Sequence, residues 1–106
     1  MPDDYAYPSA CSEFASTPSP NGDPHADAIV NTLAHETEET TTDMLGTAWW
    51  DGRGFENADK CAWTFGVVSR TPSGAPYNMT VGGKNFLVQR NWVNATAGSG
   101  YCAMSL

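Results

Sequence analysis

One predicted helix constrains most strongly what this chain can fold into. Asp23 followed by Pro24 is typical of a helix start, because aspartate caps free amides and proline suits the first helical position. Residues on one face then recur at helical spacing, which predicts an amphipathic helix from residue 24 to about 40. These residues are Ala26, Ile29, Val30, Leu33 and Thr37. The run of three β-branched threonines at 40–42 predicts the helix end.

The same helix carries a His-Glu-x-x-Glu motif. His35 and Glu39 lie four residues apart, so a helix stacks their side chains on one face, opposite the predicted apolar side. Such a pair can hold one cation while Glu36 points at a water bound to it. This is the layout of the H-E-x-x-H zinc hydrolases, with a carboxylate replacing the second imidazole. The alternative is an ordinary polar pair on a solvated helix face.

A metal site needs a third protein ligand, and Glu56-x-x-Asp59 supplies two candidates about 20 residues beyond His35. Glu56 is the first choice, with Asp59 either supporting it or acting as the ligand itself. Asp43 is a lower-ranked rival, because an aspartate at a helix end often caps locally. In a catalytic site, Glu36 is the general base that activates water to attack a peptide or ester carbonyl.

The expected cofactor is one divalent metal. The likeness to the H-E-x-x-H layout makes zinc the first choice, and one imidazole with two carboxylates forms an oxygen-rich set that is less selective for zinc and leaves calcium or manganese as alternatives.

The rest of the chain predicts short strands and turns. Proline and serine recur in residues 1–22, which indicates an extended N-terminal segment, with the folded part at residues 23–106. Strand-like runs separated by glycine-containing turns follow the helix. They are residues 63–69, 77–81 and 86–92, and Gly82-Gly83 predicts a hairpin that closes residues 84–89 over residues 77–81. We expect an α+β fold, with the site helix packed on a small antiparallel sheet, in which a zincin-like arrangement is an option.

Charge and length exclude several classes of function. The 106 residues carry a net charge of −7 and only five Lys and Arg residues, which disfavours nucleic acid and anionic membrane surfaces as partners. The longest apolar stretches are too short for a membrane span. Met1 leads straight into Pro2-Asp3-Asp4 without a signal peptide, so we expect a fragment or a processed segment.

Two features nevertheless indicate secretion. Asn78 and Asn94 each begin an N-glycosylation triplet, and three cysteines suit an oxidising compartment. Cys61 follows the Glu56–Asp59 turn and Cys102 follows the last predicted strand, so a bridge between them would tie the chain end to the site loop. Cys11 is then left over, and we expect it to pair with a cysteine upstream of this segment or in another chain.

The chain also resembles a known family. The segments that carry the resemblance are Pro20-Asn21-Gly22-Asp23 before the helix, then Tyr77-Asn78 and Gly83-Lys84-Asn85-Phe86-Leu87. These residues resemble the C-terminal half of the EXORDIUM-like, phosphate-induced secreted proteins known from plant cell walls. A microbial-type version with a His-Glu-x-x-Glu helix is matched at His35, Glu36, Glu39, Thr42-Asp43, Trp49, Glu56, Asp59 and Cys61. The resemblance covers residues 20 to about 102, and it implies that an N-terminal half is missing or supplied elsewhere.

Two functions of different class follow. The first is a secreted, metallopeptidase-like domain in which the His-Glu-x-x-Glu helix binds metal and activates water for hydrolysis of a peptide substrate. The second is a non-catalytic extracellular module that binds glycan or wall polymer. The exposed stacking surfaces that the second function needs would come from Trp49, Trp50, Trp63 and Trp92.

Overall fold

The computed structural model describes residues 12–95 and 99–104. Within them the chain forms one α-helix, one 3₁₀ helix and three two-stranded antiparallel sheets, so the predicted α+β class is confirmed. The elements are α1 (Pro24–Thr42), the 3₁₀ helix η1 (Asp59–Cys61), β1 (Ser69–Arg70), β2 (Pro76–Tyr77), β3 (Met79–Val81), β4 (Lys84–Phe86), β5 (Asn91–Asn94) and β6 (Gly100–Ala103). No helix in this part of the chain is both long and apolar enough to cross a bilayer.

The described residues divide into two compact units. The first unit contains the chain up to Leu33 together with Val67–Val88, and the second contains Ala34–Gly66 together with the chain from Gln89 onward. The strand pairs fall within these units as β1–β2 and β3–β4 in the first and β5–β6 in the second. The small antiparallel sheet expected from the sequence is thus divided into three two-stranded antiparallel pairs.

The start of α1 agrees with the prediction. Asp23 Oδ1 accepts a hydrogen bond from the amide of Ala26 at 3.0 Å, which is the capping contact expected three residues into a helix. The helix ends at Thr42, two residues beyond the predicted boundary.

The buried face of α1 differs from the predicted one. Asp27, Ala28 and Asn31 are buried, whereas Leu33 is 50% exposed. Asp27 tolerates burial because its carboxylate accepts hydrogen bonds from the Asn21 amide at 2.9 Å and from Asn21 Nδ2 at 2.7 Å. Hydrogen-bond satisfaction therefore decided which face turned inward, and apolar periodicity did not.

The core of the first unit is small and includes a residue of the N-terminal segment. Its buried apolar side chains are Phe14, Ala28, Ala75, Leu87 and Val88. Phe14 retains only 4% exposure although its segment was expected to be extended and poorly packed. Residues 12–22 lack regular structure, as expected, but they contribute a core side chain.

The predicted hairpin across Gly82-Gly83 is present. Met79 pairs with Phe86 and Val81 pairs with Lys84, and both glycines adopt positive φ angles of 57° and 76°. Two successive positive φ angles are what a tight hairpin turn between twisted strands requires, and glycine adopts them at no steric cost.

Asn78, one of the two expected glycosylation sites, does not have a free side chain. Its Nδ2 donates to the carbonyl of Val88 at 2.7 Å, and its Oδ1 accepts from the amide of Val88 at 3.0 Å. A glycan acceptor needs a free side-chain amide, and the Asn78 amide instead takes the place of a backbone partner for the buried Val88. Asn94 is exposed, and its Oδ1 accepts from Trp92 Nε1 at 2.9 Å.

A disulfide joins two elements of the second unit. Cys61 in η1 bonds to Cys102 in β6, as the sequence predicted. The bridge closes a separation of 41 residues, which corresponds to about 4 kcal/mol in the chain-entropy account of crosslinks. Cys11, with its expected partner upstream or in another chain, lies outside the described residues.

The β5–β6 pair predicts a sharp size limit at Gly100. A Cβ added at Gly100 would lie 2.5 Å from Trp92 Cε2 and 2.6 Å from the carbonyl oxygen of Val93, which belongs to the paired strand. We expect Gly100→Ala to lower the free energy of unfolding by about 1–3 kcal/mol, measured by urea denaturation. Gly52→Ala is the matched control, because a Cβ there meets nothing within 4 Å, and we expect a change within about 0.5 kcal/mol. Equal stabilities of the two variants would contradict this packing.

Candidate metal centre

Three potential metal ligands meet in the second unit. His35 and Glu39 come from the last turns of α1, and Asp59 comes from η1. His35 Nε2 lies 3.0 Å from Glu39 Oε1 and 3.4 Å from Asp59 Oδ1. One ligand atom from each residue lies within 4.8 Å of the others. This spacing suits atoms that share one cation, since zinc lies about 2.0–2.2 Å from each nitrogen and oxygen ligand.

The orientation of His35 is set by a residue that the sequence analysis missed. Gln89 is buried, and its Nε2 donates to the carbonyl of Ala58 at 2.8 Å. Its Oε1 therefore faces His35 Nδ1, 3.2 Å away, and accepts the proton that this nitrogen carries. A hydrogen on Nδ1 leaves a lone pair on Nε2, which is the atom that faces the two carboxylates.

No sequence signal pointed to Gln89. It lies 54 residues from His35 and belongs to no spacing motif. Only its position after the apolar pair Leu87-Val88 marks it as a buried polar residue, and burial of one glutamine is weak evidence for a site.

Of the two carboxylates proposed as third ligand, the structure brings Asp59 into the group. Asp59 Oδ2 accepts a hydrogen bond from the amide of Glu56 at 3.3 Å, while Oδ1 faces His35. Glu56 and Asp59 therefore have different roles. The backbone amide of Glu56 orients Asp59, whereas the side chain of Glu56 is not part of the group of potential ligands. The disulfide at Cys61 holds η1 two residues further on.

The carboxylate of Glu39 is held in an unfavourable environment. Burial raises the pKa of Glu39 above its usual 4.5, His35 opposes the shift, and the carboxylates of Asp59, Glu56 and Glu36 add to it. Although Glu39 Oε1 lies 3.0 Å from His35 Nε2, it is buried without a hydrogen bond from any described residue. The contact is close but poorly directed, so both atoms can face a third group.

The raised pKa of Glu39 has a consequence for stability. A carboxyl whose folded-state pKa exceeds its unfolded-state value contributes stability that is fully present below about pH 4.5 and is lost as the pH rises through the folded-state pKa. Loss of the Glu39 proton is therefore less favourable in the folded protein than in the unfolded chain. A cation bound beside this carboxyl group would favour its ionised form.

The remaining site residues lie outside the group. Glu36 is exposed on α1, one residue beyond His35. Asp43 Oδ1 accepts hydrogen bonds from the amides of Thr47 and Ala48 at 2.6 and 2.9 Å, so it forms the local cap that its helix-end position predicted.

Comparison with known proteins places the chain in a family. Residues 2–102 match the sequence family described as "Phosphate-induced protein 1 conserved region". The chain is 31% identical over 114 residues to "Protein EXORDIUM-like 3" of Arabidopsis thaliana, an alignment that covers 92% of this chain and 33% of that protein. The chain thus spans about a third of the length of this relative. No solved structure matches the chain.

The microbial-type His-Glu-x-x-Glu version of the family stays a prediction. The match over residues 2–102 includes both the helix and the segment after it, as the resemblance seen in the sequence implied. The chain belongs to the phosphate-induced protein 1 family, whose members include the EXORDIUM-like proteins.

Proposed function

We propose that this chain is a secreted, metal-binding domain with a metallopeptidase-like centre. His35 Nε2, Glu39 and Asp59 hold one divalent cation, with zinc as the first choice and manganese or calcium as alternatives. The observation that supports this most directly is the buried Oε1 of Glu39, which has no hydrogen bond and lies beside the free lone pair of His35. Burial of an unsatisfied carboxylate is costly, and a cation at this point would remove the cost.

The centre has the parts that a hydrolytic site needs. A bound divalent ion supplies Lewis acidity that polarises a carbonyl group and lowers the pKa of water. With three protein ligands, an ion held here would have room for a further ligand from solvent or substrate. Glu36 is exposed beside His35, and we assign it the role of general base, which accepts the proton of the attacking water.

The disulfide supports secretion. A bridge between Cys61 and Cys102 persists in an oxidising compartment and is rare in the cytosol. Asn94 is exposed and stays the proposed glycan acceptor, whereas glycosylation of Asn78 would require the loss of both its bonds to Val88.

Metal binding should stabilise the full chain and should depend on Asp59 more than on Glu56. Zinc at 100 times its Kd contributes about 2.7 kcal/mol, which raises the Tm of a domain this size by about 10–20 °C. We expect Asp59→Asn to abolish most of this rise. Glu56→Gln is the matched control and should retain it, since only the backbone amide of Glu56 contacts Asp59. Elemental analysis of protein never exposed to chelator gives the metal and its stoichiometry. A protein without stoichiometric metal, or equal losses in both variants, would refute the centre.

Gln89 should act on the metal through His35. We expect Gln89→Leu to lower zinc affinity about 10–100-fold, because partners of a ligating histidine fix its tautomer. The decisive measurement is the ¹⁵N chemical shift of the His35 ring above pH 8, without metal. The wild-type protein should carry its proton on Nδ1, and the variant should populate the Nε2–H form. An unchanged tautomer would show that Gln89 has only a packing role.

A substitution of Glu36 tests catalysis separately from metal binding. We expect Glu36→Gln to keep the zinc-dependent rise in Tm, since Glu36 is not a ligand, while hydrolysis of a peptide or ester library falls at least 100-fold. Loss of metal in this variant would mean that the ligand roles are assigned wrongly. Wild-type protein that binds zinc but cleaves nothing would leave a structural metal site and refute the hydrolase.

A further inference from the structure

A cleft in the second unit is lined by residues other than His35, Glu39 and Asp59. One cavity of about 410 Å³ and another of about 190 Å³ share the residues Trp49, Asn57, Trp92 and Asn94, so they form adjoining parts of one cleft. Asn91 and Glu38 also line the larger part. The larger volume falls within the range of about 300–1,000 Å³ that is usual for small-molecule sites.

Trp92 forms a fixed wall of this cleft. Its amide donates to Asn57 Oδ1 at 2.6 Å, and its Nε1 donates to Asn94 Oδ1 at 2.9 Å. The Lys60 ammonium lies 4.4 Å from the centre of a Trp92 ring, and Trp92 pairs across the sheet with the disulfide-bonded Cys102. An indole held by this many contacts is preorganised, so binding against it loses little side-chain entropy.

Trp49 forms the open side of the cleft. Its side chain is 62% exposed, and its backbone has φ = 61°, a conformation that is strained for any residue except glycine. The Asp43 cap on Thr47 and Ala48 lies immediately before it and fixes the approach of the chain. The fold therefore holds a large indole in solvent in a strained conformation, and such strain is concentrated at binding sites.

The polar lining is rich in side-chain amides. Asn57 Nδ2 donates to Glu38 Oε1 at 3.0 Å, so these two groups are already paired. Asn91 differs, because its Oδ1 is buried and accepts no hydrogen bond from any described residue. A buried acceptor without a partner is unfavourable, and a ligand hydroxyl would satisfy it.

The charge of the cleft favours a neutral ligand. Glu38 and Asp51 line it, and Lys60 already lies 3.5 Å from Asp51. The whole chain has a net charge of −7. An anionic ligand would therefore meet repulsion from these carboxylates, whereas an uncharged ligand would not.

We propose that this cleft binds a segment of a neutral oligosaccharide. A sugar ring presents an apolar face of C–H groups, which stacks on the exposed indole of Trp49, and hydroxyl groups at its edge, which donate to Asn91 Oδ1. The site is independent of the metal centre and of the hydrolytic activity proposed above. Of the four tryptophans, Trp49, Trp50 and Trp92 line the cleft, and Trp63 lies outside its lining.

The test measures binding of defined oligosaccharides to the full chain. Protein made in an oxidising bacterial host carries no N-glycan at Asn94 and is titrated with cellohexaose, xylohexaose, mannohexaose and, as the anionic member, hexagalacturonate. Tryptophan fluorescence and calorimetry report binding, with and without EDTA. We expect at least one neutral hexasaccharide to bind in both conditions, and hexagalacturonate to bind more weakly.

Two variants and one control locate the site. Trp49→Ala should weaken the binding at least about tenfold, the effect of losing one stacked aromatic surface. Trp63→Ala is the matched control, since Trp63 is also exposed (54%) and also has a positive φ (62°), and it should bind as the wild type does. Asn91→Leu should weaken binding while keeping or raising the Tm, because it removes an unsatisfied buried acceptor.

Several results would overturn the proposal. They are no binding of any neutral hexasaccharide at millimolar concentration, a preference for hexagalacturonate, equal losses in Trp49→Ala and Trp63→Ala, or loss of binding on addition of EDTA. A lower Tm in Asn91→Leu with unchanged affinity would give Asn91 a structural role instead. Of these results, only the EDTA outcome bears on the metal centre. Elemental analysis decides separately whether zinc binds at His35, so the two proposals can fail independently.

Discussion

Burial of a polar helix face is the constraint on which the rest of the second unit depends. His35 and Glu39 retain only 19% and 12% side-chain exposure, and polar groups at this depth need partners. Two amide side chains from other segments bind this part of the helix, since Gln89 contacts His35 and Asn57 contacts Glu38, while Glu39 Oε1 has no hydrogen bond from a described residue. Both amides also bind backbone groups, at Ala58 and Trp92 respectively. The helix is therefore held in place largely by hydrogen bonds.

The disulfide compensates for the small apolar core of this unit. Among its described residues, the buried apolar side chains are Ala58 and Cys61, whereas Trp49, Trp50 and Trp63 remain exposed. A core of this size buries little apolar surface, and small domains of this kind rely on crosslinks. Because the bridge joins η1 to β6, the same bond stabilises the unit, positions Asp59 near the helix and places β5 beneath the cleft.

Stability and function oppose each other at three positions of the second unit. The Glu39 carboxyl group is partly buried near other carboxylates, Asn91 Oδ1 is buried without a hydrogen bond from a described residue, and Trp49 has a strained backbone. Each arrangement lowers the stability of the ligand-free protein. A cation beside Glu39 and a hydroxyl donor beside Asn91 would offset the first two. Natural proteins accept such conflicts mainly where they bind something.

Local patterns in the sequence determined much of this protein. Asp23-Pro24 fixed the start of α1, the four-residue spacing brought His35 beside Glu39, and Gly82-Gly83 fixed the β3–β4 hairpin. These features depend on neighbours within a few residues, so sequence spacing is sufficient to predict them. The cysteine positions relative to the predicted turn and last strand also indicated the Cys61–Cys102 bridge.

Only the tertiary structure decided which face of α1 is buried, which acid joins His35 and which residue orients it. Apolar periodicity predicted an inward Leu33, but Asn21 satisfied Asp27 and turned the polar face inward. Asp59 replaced Glu56 because the Glu56 amide binds one oxygen of Asp59 and leaves the other facing His35. Gln89 reaches His35 across 54 residues. Each of these three features depends on which side chain or amide forms a particular hydrogen bond in the folded protein. The spacing of residues along the sequence does not reveal those partners.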